Sequence, residues 1–235
     1  KHDIDMNIQN KSSKNSLEFK SIDYQLQPYT NPELIKENGP QVFRSGRGVE
    51  VKDIDGNSYI EGMSGLWCAS LGFNEIELVE AAITQMKKLP FYHSFTGKTC
   101  ESTINLSEKL IEIAPNNLKK IFFCNSGSEA NDTAIKIVWY YHASLGNPQK
   151  RKIISRKGSY HGVTLAAASL TALDYAQKGF GLPLDFAIHT TWPHYFQNSN
   201  ENESEKDFCN RLVSDLEKII ENEGAENIGA FIAEP

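Results

Sequence analysis

The spacing of hydrophobic residues along the chain changes from a strand-like period to a helical one. Short apolar segments lie on either side of residues 46–48 and again after the turn Asp55-Gly56-Asn57, a pattern that predicts a β-meander. From residue 74 onward the apolar positions recur every three to four residues, which predicts an amphipathic helix that ends before Pro90. A second helix of the same kind is predicted to end at Pro115.

Beyond residue 115, short apolar runs alternate with helical segments. Buried strands are predicted at the apolar runs 121–124, 152–155 and 228–233, and helices at 129–145, 163–170 and 208–220. Strands that alternate with helices are typical of a mostly parallel sheet with helices on its faces. The pattern therefore predicts an α/β fold.

These patterns divide the chain into three predicted parts. Residues 1–20 are polar and predict a flexible arm, residues 21–70 form the N-terminal segment of a smaller domain, and residues 71–235 form a larger domain. The chain ends directly after a predicted strand with no helix to cover it. We therefore expect the larger domain to be incomplete here and to continue in a longer protein.

Composition narrows the possible classes of protein. Hydrophobic residues make up 40% of the chain and aromatic residues 10%, which is enough for a packed core and excludes wholesale disorder. The net charge of −6 argues against a nucleic-acid partner, because a phosphate backbone attracts basic surfaces. No apolar stretch is long enough for a membrane span, and the polar start of the chain lacks the apolar centre of a secretory signal.

The cysteines and histidines predict no metal site. None of the four cysteines forms a C-x-x-C pair, and the six histidines include no H-E-x-x-H motif. With no export signal, reduced thiols and a cytoplasmic location are expected.

The most informative segment joins the run at 121–124 to the helix after it. Ser126 and Glu129 have the spacing of a capping box, and Gly127 allows close approach of another group to the backbone. The free N–H groups of such a helix N-terminus attract an anion, most often a phosphate, although an ordinary capped helix has the same pattern. Neither nucleotide-binding glycine motif occurs, so a bound phosphate is expected to belong to a ligand other than ATP or NAD.

Two further polar clusters follow predicted strands. Tyr160 and His161 come after the strand at 152–155, and Glu234 comes after the strand at 228–233. Since ligands of open α/β sheets lie outside the carboxyl ends of the strands, we expect these residues at the same edge as Ser126. A tyrosine there is able to stack on a flat ring. Each cluster alone is as consistent with packing or with a solvated surface.

Together, three motifs in this order and spacing resemble the class III aminotransferases, which are pyridoxal 5'-phosphate (PLP) enzymes of fold type I. The motifs are the segment 125–131, Tyr160-His161-Gly162 and Ala233-Glu234-Pro235. Residues 55–60 and 65–68 resemble the N-terminal signature of the ω-amino-acid and amine:pyruvate branch. The resemblance runs from about Tyr24 to Pro235. It implies a mostly parallel sheet flanked by helices, with an N-terminal helix and β-meander belonging to a smaller domain.

The resemblance also implies roles for individual residues. The cofactor-binding residues implied are Ser126, Gly127 and Ser128 for the phosphate, Tyr160 and His161 for the pyridine ring, and Glu234 for the ring edge. The aromatic residues implied for the substrate pocket are Tyr29, Trp67 and Phe95. A core aromatic after the hairpin is the alternative for Trp67, and core or interface packing explains Tyr29 and Phe95 equally well. The family's Schiff-base lysine, its pyridine-pairing aspartate and its substrate arginine are expected beyond Pro235.

The implied activity is transfer of an amino group from a primary amine or ω-amino acid to a keto acid, with pyruvate as the expected acceptor. The implied assembly is a homodimer. The 235-residue chain alone is expected to be inactive because it lacks the lysine region. Two alternatives stay open: a non-catalytic domain that binds a phosphate ligand or a partner chain, and another PLP enzyme of this fold, such as a racemase or aminomutase.

Overall fold

A computed structural model describes residues 14–234 and divides the chain into two compact units, the first ending at Asn105 and the second beginning at Leu106. The predicted arm at 1–20 lies largely outside the described residues, but residues 17–20 already belong to a helix. The predicted domain boundary after residue 70 stays a prediction.

The first unit contains the predicted β-meander. Strands β1 (Phe43–Arg47), β2 (Glu50–Asp53) and β3 (Ser58–Ile60) form an antiparallel sheet in the order β1-β2-β3. The carboxylate of Asp53 accepts hydrogen bonds from the backbone N–H of Asn57 at 2.8 Å and from the hydroxyl of Tyr59 at 2.8 Å. These bonds close the turn that Asp55 and Gly56 predict.

Helices precede and follow this sheet. The longer ones are α1 (Leu17–Tyr24), α2 (Pro32–Asn38), α3 (Ile76–Lys88) and α4 (Glu101–Ile113), the last of which crosses the boundary between the units. A short helical turn, Ser64–Trp67, follows β3. Helix α1 begins at Ser16, whose side chain accepts the N–H of Phe19 at 3.1 Å. Helices α3 and α4 confirm the two amphipathic helices predicted before Pro90 and Pro115.

The second unit is built on a parallel sheet, as predicted. Strands β4 (Lys152–Arg156), β5 (Ala187–Thr190) and β6 (Ile228–Phe231) pair in the order β5-β4-β6, and both pairings are parallel. The accompanying helices are α5 (Gly127–Ser144), α6 (Leu165–Leu170), α7 (Asp174–Gln177), α8 (Tyr195–Asn198) and α9 (Glu205–Glu223). Ile135 of α5, Ile153, Leu170 and Ala187 form the buried core. None of the helices between residues 14 and 234 is long and apolar enough to cross a bilayer.

The prediction of a strand at 121–124 was wrong. These residues form no strand, and Phe122 and Phe123 are 71% and 43% exposed. A strand requires backbone partners, and no segment among residues 14–234 pairs with this run. An apolar composition alone therefore does not make it a strand here.

Candidate active site

The N-terminus of α5 offers two free backbone donors. The Ser126 hydroxyl accepts the N–H of Glu129 at 3.2 Å, while the Glu129 carboxylate accepts the N–H of Asn125 at 2.9 Å. The capping-box spacing is therefore used, but the return bond goes to Asn125 rather than Ser126. Among the described residues, the N–H groups of Gly127 and Ser128 have no partner, and a Cβ at Gly127 would meet nothing within 4 Å. Free donors and open space at the positive end of an 18-residue helix suit an anion.

Tyr160 and Glu234 meet at the carboxyl edge of the parallel sheet. The carboxylate of Glu234 accepts the backbone N–H of Tyr160 at 2.9 Å, and its carbonyl oxygen accepts a hydrogen bond from the Arg156 guanidinium. The Tyr160 side chain is 46% exposed, so its ring is available for stacking. A cleft of about 470 Å³ opens beside this loop, lined by Arg156, Lys157, Gly158, Ser159, Trp192, Pro193 and Glu234.

The loop that carries Tyr160 is fastened to the start of α5. The hydroxyl of Ser128 accepts the N–H of Val163 at 3.0 Å, and the side-chain amide of Asn131 donates to the carbonyl oxygen of His161 at 2.5 Å. Gly162 lies against Ser128 so closely that a Cβ would stand 2.5 Å from its hydroxyl oxygen. The structure therefore brings the predicted phosphate residues and the Tyr160-His161-Gly162 motif together.

His161 is buried under this loop with only 7% of its surface exposed. Its backbone N–H donates to the Thr171 hydroxyl at 2.8 Å, whereas its ring Nε2 has no hydrogen-bond partner among the described residues. Burial lowers the pKa of His161, because desolvation disfavours the charged imidazolium. The buried Nε2 is therefore an unsatisfied polar atom of a kind that is rare in folded proteins and costs stability unless it finds a partner.

The residues predicted for the substrate pocket all belong to the first unit. Tyr29, Trp67 and Phe95 are 63%, 76% and 72% exposed. None of the three is therefore packed in the core of that unit. Their role in a pocket stays a prediction.

The sequence also carried two site residues that the motif reasoning did not single out. Asn131 holds the carbonyl of His161, and the Asp132 carboxylate accepts the Thr164 hydroxyl at 2.7 Å and the N–H of Ala167 at 3.1 Å. Both are polar residues one turn into a helix that otherwise contributes to the core. Their position near the start of the helix was the signal in the sequence that could have pointed to them. Their hydrogen-bond partners lie about 30 residues away, so only the fold shows which groups they bind.

The architecture and the edge at which these groups gather are those of the fold type I PLP-dependent transferases. The chain belongs to the class III aminotransferase family, whose family model, Aminotransferase class-III, matches residues 35–235. Enzymes of this family depend on PLP. The predicted family and fold are therefore confirmed.

Similar proteins are aminotransferases with different substrates. The chain is 45% identical over 211 residues to gamma-aminobutyrate transaminase 1, mitochondrial, of Oryza sativa subsp. japonica, covering 89% of this chain and 41% of that protein. The omega transaminase of Pseudomonas jessenii in complex with PMP is 51% identical, with a TM-score of 0.92 over 94% of this chain and 49% of that one. A tryptophan-to-glycine variant of a thermostable omega transaminase is 50% identical to this chain, with a TM-score of 0.92 over 94% of this chain and 49% of that one. This variant was engineered for asymmetric synthesis of enantiopure bulky amines. The chain spans about half the length of these relatives.

Proposed function

We propose that the complete protein is a PLP-dependent transaminase that moves an amino group from a primary amine or ω-amino acid to a keto acid, with pyruvate as acceptor. The observation that carries this proposal is the pair of free N–H groups at Gly127 and Ser128, fastened through Ser128 to the loop of Tyr160. Membership of the class III family supports the reaction class.

The residues present fit the cofactor. The start of α5 would hold its phosphate, with Ser126 capping the helix and Gly127 leaving the space open. The exposed ring of Tyr160 would stack on the pyridine, and the Glu234 carboxylate would fix the Tyr160 backbone at the ring's edge. When bound, PLP supplies an electron sink for the carbon that carries the amino group. The lysine and aspartate that the family resemblance implies are expected outside these 235 residues, so activity is measured on the complete protein.

The donor assignment depends on an aromatic pocket. Trp67, Tyr29 and Phe95 would give large apolar surface beside the reacting carbon, which favours unbranched chains or aryl groups. The gamma-aminobutyrate relative supports an ω-amino acid, and the engineered tryptophan variant supports a tryptophan that limits donor size. An apolar aromatic surface binds an α-carboxylate poorly, because a carboxylate is bound best by the paired N–H donors of an arginine.

We also propose a homodimer in the cytoplasm, with no nucleic-acid or membrane partner. The exposed aromatic residues Phe91 and Phe95, at 85% and 72%, support a surface that a second chain covers. The rice relative is named as mitochondrial, so fractionation of the complete protein in its own cells decides the location.

The test compares amine donors before and after one substitution. With pyruvate as acceptor, 4-aminobutyrate and an aryl amine should both yield alanine, and Trp67→Ala should shift their kcat/KM ratio toward the bulkier amine while PLP stays bound. Phe196→Ala is the matched control, since Phe196 is 91% exposed and outside the proposed pocket. If only α-amino acids react, or if Trp67→Ala leaves the ratio unchanged, the assignment is wrong.

A further inference from the structure

The segment that carries Trp67 is a left-handed helical turn. Residues Ser64, Gly65, Leu66 and Trp67 have φ angles of 50°, 61°, 60° and 68°. Glycine adopts this conformation freely, but in bulky residues the Cβ crowds the neighbouring carbonyl. Four consecutive residues with left-handed φ angles, only one of them glycine, make a strained backbone. Such strain persists only where surrounding contacts hold it.

The apolar side chains of the turn do not hold it within the first unit. Leu66 is 63% exposed and Trp67 is 76% exposed, so their burial does not offset the backbone strain. Backbone hydrogen bonds hold it, such as that from the N–H of Trp67 to the carbonyl oxygen of Met63 at 2.8 Å. Two side chains add to them: the Cys68 thiol, a weak donor 3.6 Å from the carbonyl oxygen of Leu66, and Glu61, whose carboxylate is the stronger partner.

Both carboxylate oxygens of Glu61 accept hydrogen bonds from backbone N–H groups at the start of the turn. One oxygen accepts the N–H of Met63 at 3.0 Å and the other accepts the N–H of Gly65 at 2.5 Å. Hydrogen bonds to a charged acceptor are stronger than neutral ones, and this pair fixes two backbone groups at once. The direction of the Cα–Cβ bond at Trp67 depends on the hand of the turn, so a group that holds the turn also bears on where the indole points.

We infer that Glu61 is a positioning residue that sets donor selection through Trp67, by holding the left-handed turn from Ser64 to Trp67. The inference rests on the proposed function, in which the Trp67 indole is a wall of the donor pocket. It adds a residue to which neither the motifs nor the family resemblance assigned a role.

The test uses Glu61→Gln in the complete PLP-bound protein. Glutamine keeps the side-chain size and one acceptor oxygen but places an NH₂ group where the second oxygen accepts. The control is Glu77→Gln, an exposed residue on α3 whose side chain makes no hydrogen bond or ion pair among the described residues. Glu61→Gln should change the kcat/KM ratio of 1-phenylethylamine to 4-aminobutyrate at least about fivefold, as loss of one charged hydrogen bond implies, and Glu77→Gln should not.

A double-mutant cycle decides whether Glu61 acts through Trp67. In a Trp67→Ala background, Glu61→Gln should no longer change the donor ratio. The affinity for 3-phenylpropionate, which has no amino group to transfer, is measured by calorimetry and should follow the same pattern. Equal losses for both donors with a lower melting temperature would mean a merely structural role, and a shift that persists without Trp67 would mean another route. Either result overturns the inference.

The outcomes also separate this inference from the proposed function. If Trp67→Ala changes the donor ratio while Glu61→Gln behaves like Glu77→Gln, the inference fails and the proposed pocket stands. If Trp67→Ala leaves the donor ratio unchanged, the pocket assignment itself fails, and the inference with it.

Discussion

Two glycines at the candidate site have opposite surroundings. Gly162 has a φ of 126°, and a Cβ there would stand 2.5 Å from the Ser128 hydroxyl oxygen and 2.9 Å from the Ala167 Cβ. Gly127 has an ordinary φ, and a Cβ there would meet nothing within 4 Å. Gly162 is therefore required by the chain's own packing, whereas Gly127 leaves space that the chain itself does not use.

This contrast predicts different effects on stability. Gly162→Ala should lower the free energy of unfolding of the cofactor-free complete protein by on the order of 2 to 4 kcal/mol, from overpacking and backbone strain. Gly127→Ala, the matched control, should leave it within about 0.5 kcal/mol. Chemical denaturation measures both. Equal stability of the two variants would contradict the packing of Gly162 against α5.

Two histidines, the buried His161 and the partly buried His189, predict a pH dependence of stability. Burial lowers the pKa of both His161 and His189 below the ordinary 6.5. The unfolded chain therefore binds protons that the folded chain resists. The stability present above about pH 6.5 is lost as the pH falls from that value through the folded-state pKa values.

The measurement is urea denaturation of the complete protein at pH 7.5 and 5.5. The free energy of unfolding should fall on acidification, and it should fall less in His161→Gln. Glu203, whose pKa is lowered to about 2 by hydrogen bonding to Arg211, contributes mainly at more acidic pH. A His161→Gln variant with an unchanged pH dependence would show that burial of this ring has no such effect.

At the level of elements, helix α6 is capped by a residue from another helix. Its N-cap residue Thr164 makes no capping bond with its own side chain, and the Asp132 carboxylate accepts the N–H of Ala167 instead. The bond ties the six-residue helix to α5, and with it the loop that carries Tyr160.

Removal of this cap should weaken both stability and cofactor binding. Asp132→Ala should lower the free energy of unfolding by about 1 to 2 kcal/mol and weaken PLP binding, because the loop loses an anchor. Asp132→Asn, which keeps an acceptor oxygen, should have a much smaller effect. Denaturation and PLP titration of both variants measure this. If the alanine and asparagine variants behave alike, the cap has no such role.

Local patterns predicted most elements, but tertiary partners decided the rest. The periodicities at Ile76–Lys88 and Glu101–Ile113, and the glycine and serine at the start of α5, are local signals that the structure confirms. The run at 121–124 looked like a strand and lacks a strand partner here. Strand β5 (Ala187–Thr190) was missed because only two of its four residues are apolar.

The candidate site likewise has features that local sequence patterns predict and others that depend on tertiary contacts. The free donors at Gly127 and Ser128 follow from a capped helix after a small-residue loop, which the sequence displays. The bond from Asn131 to His161 and the cap from Asp132 join residues about 30 positions apart, and no local pattern encodes them. The left-handed conformation of Leu66 was equally hidden, because leucine rarely adopts it.

At the scale of the whole molecule, we expect the complete protein to be a homodimer. Sedimentation equilibrium of the complete protein should give twice the chain mass, and Phe91→Arg should shift it toward the monomer, because a charge would replace an apolar contact. Phe196→Arg is the control, since Phe196 is exposed but lies outside the stretch 89–95. A monomeric wild type at concentrations where it is active would contradict the prediction.

If the start of α5 holds the phosphate of PLP, the complete protein should distinguish PLP from pyridoxal, which lacks the phosphate, and a comparison of the two affinities measures this most directly. The complete protein should bind PLP at least about 100-fold more tightly, since hydrogen bonds to a charged group contribute about 1.5 to 3 kcal/mol each. Gly127→Val should reduce this ratio of dissociation constants to below about tenfold by filling the space, whereas Ala130→Val on the same helix should not. A ratio near one in the wild type, or one unchanged by Gly127→Val, would contradict the account.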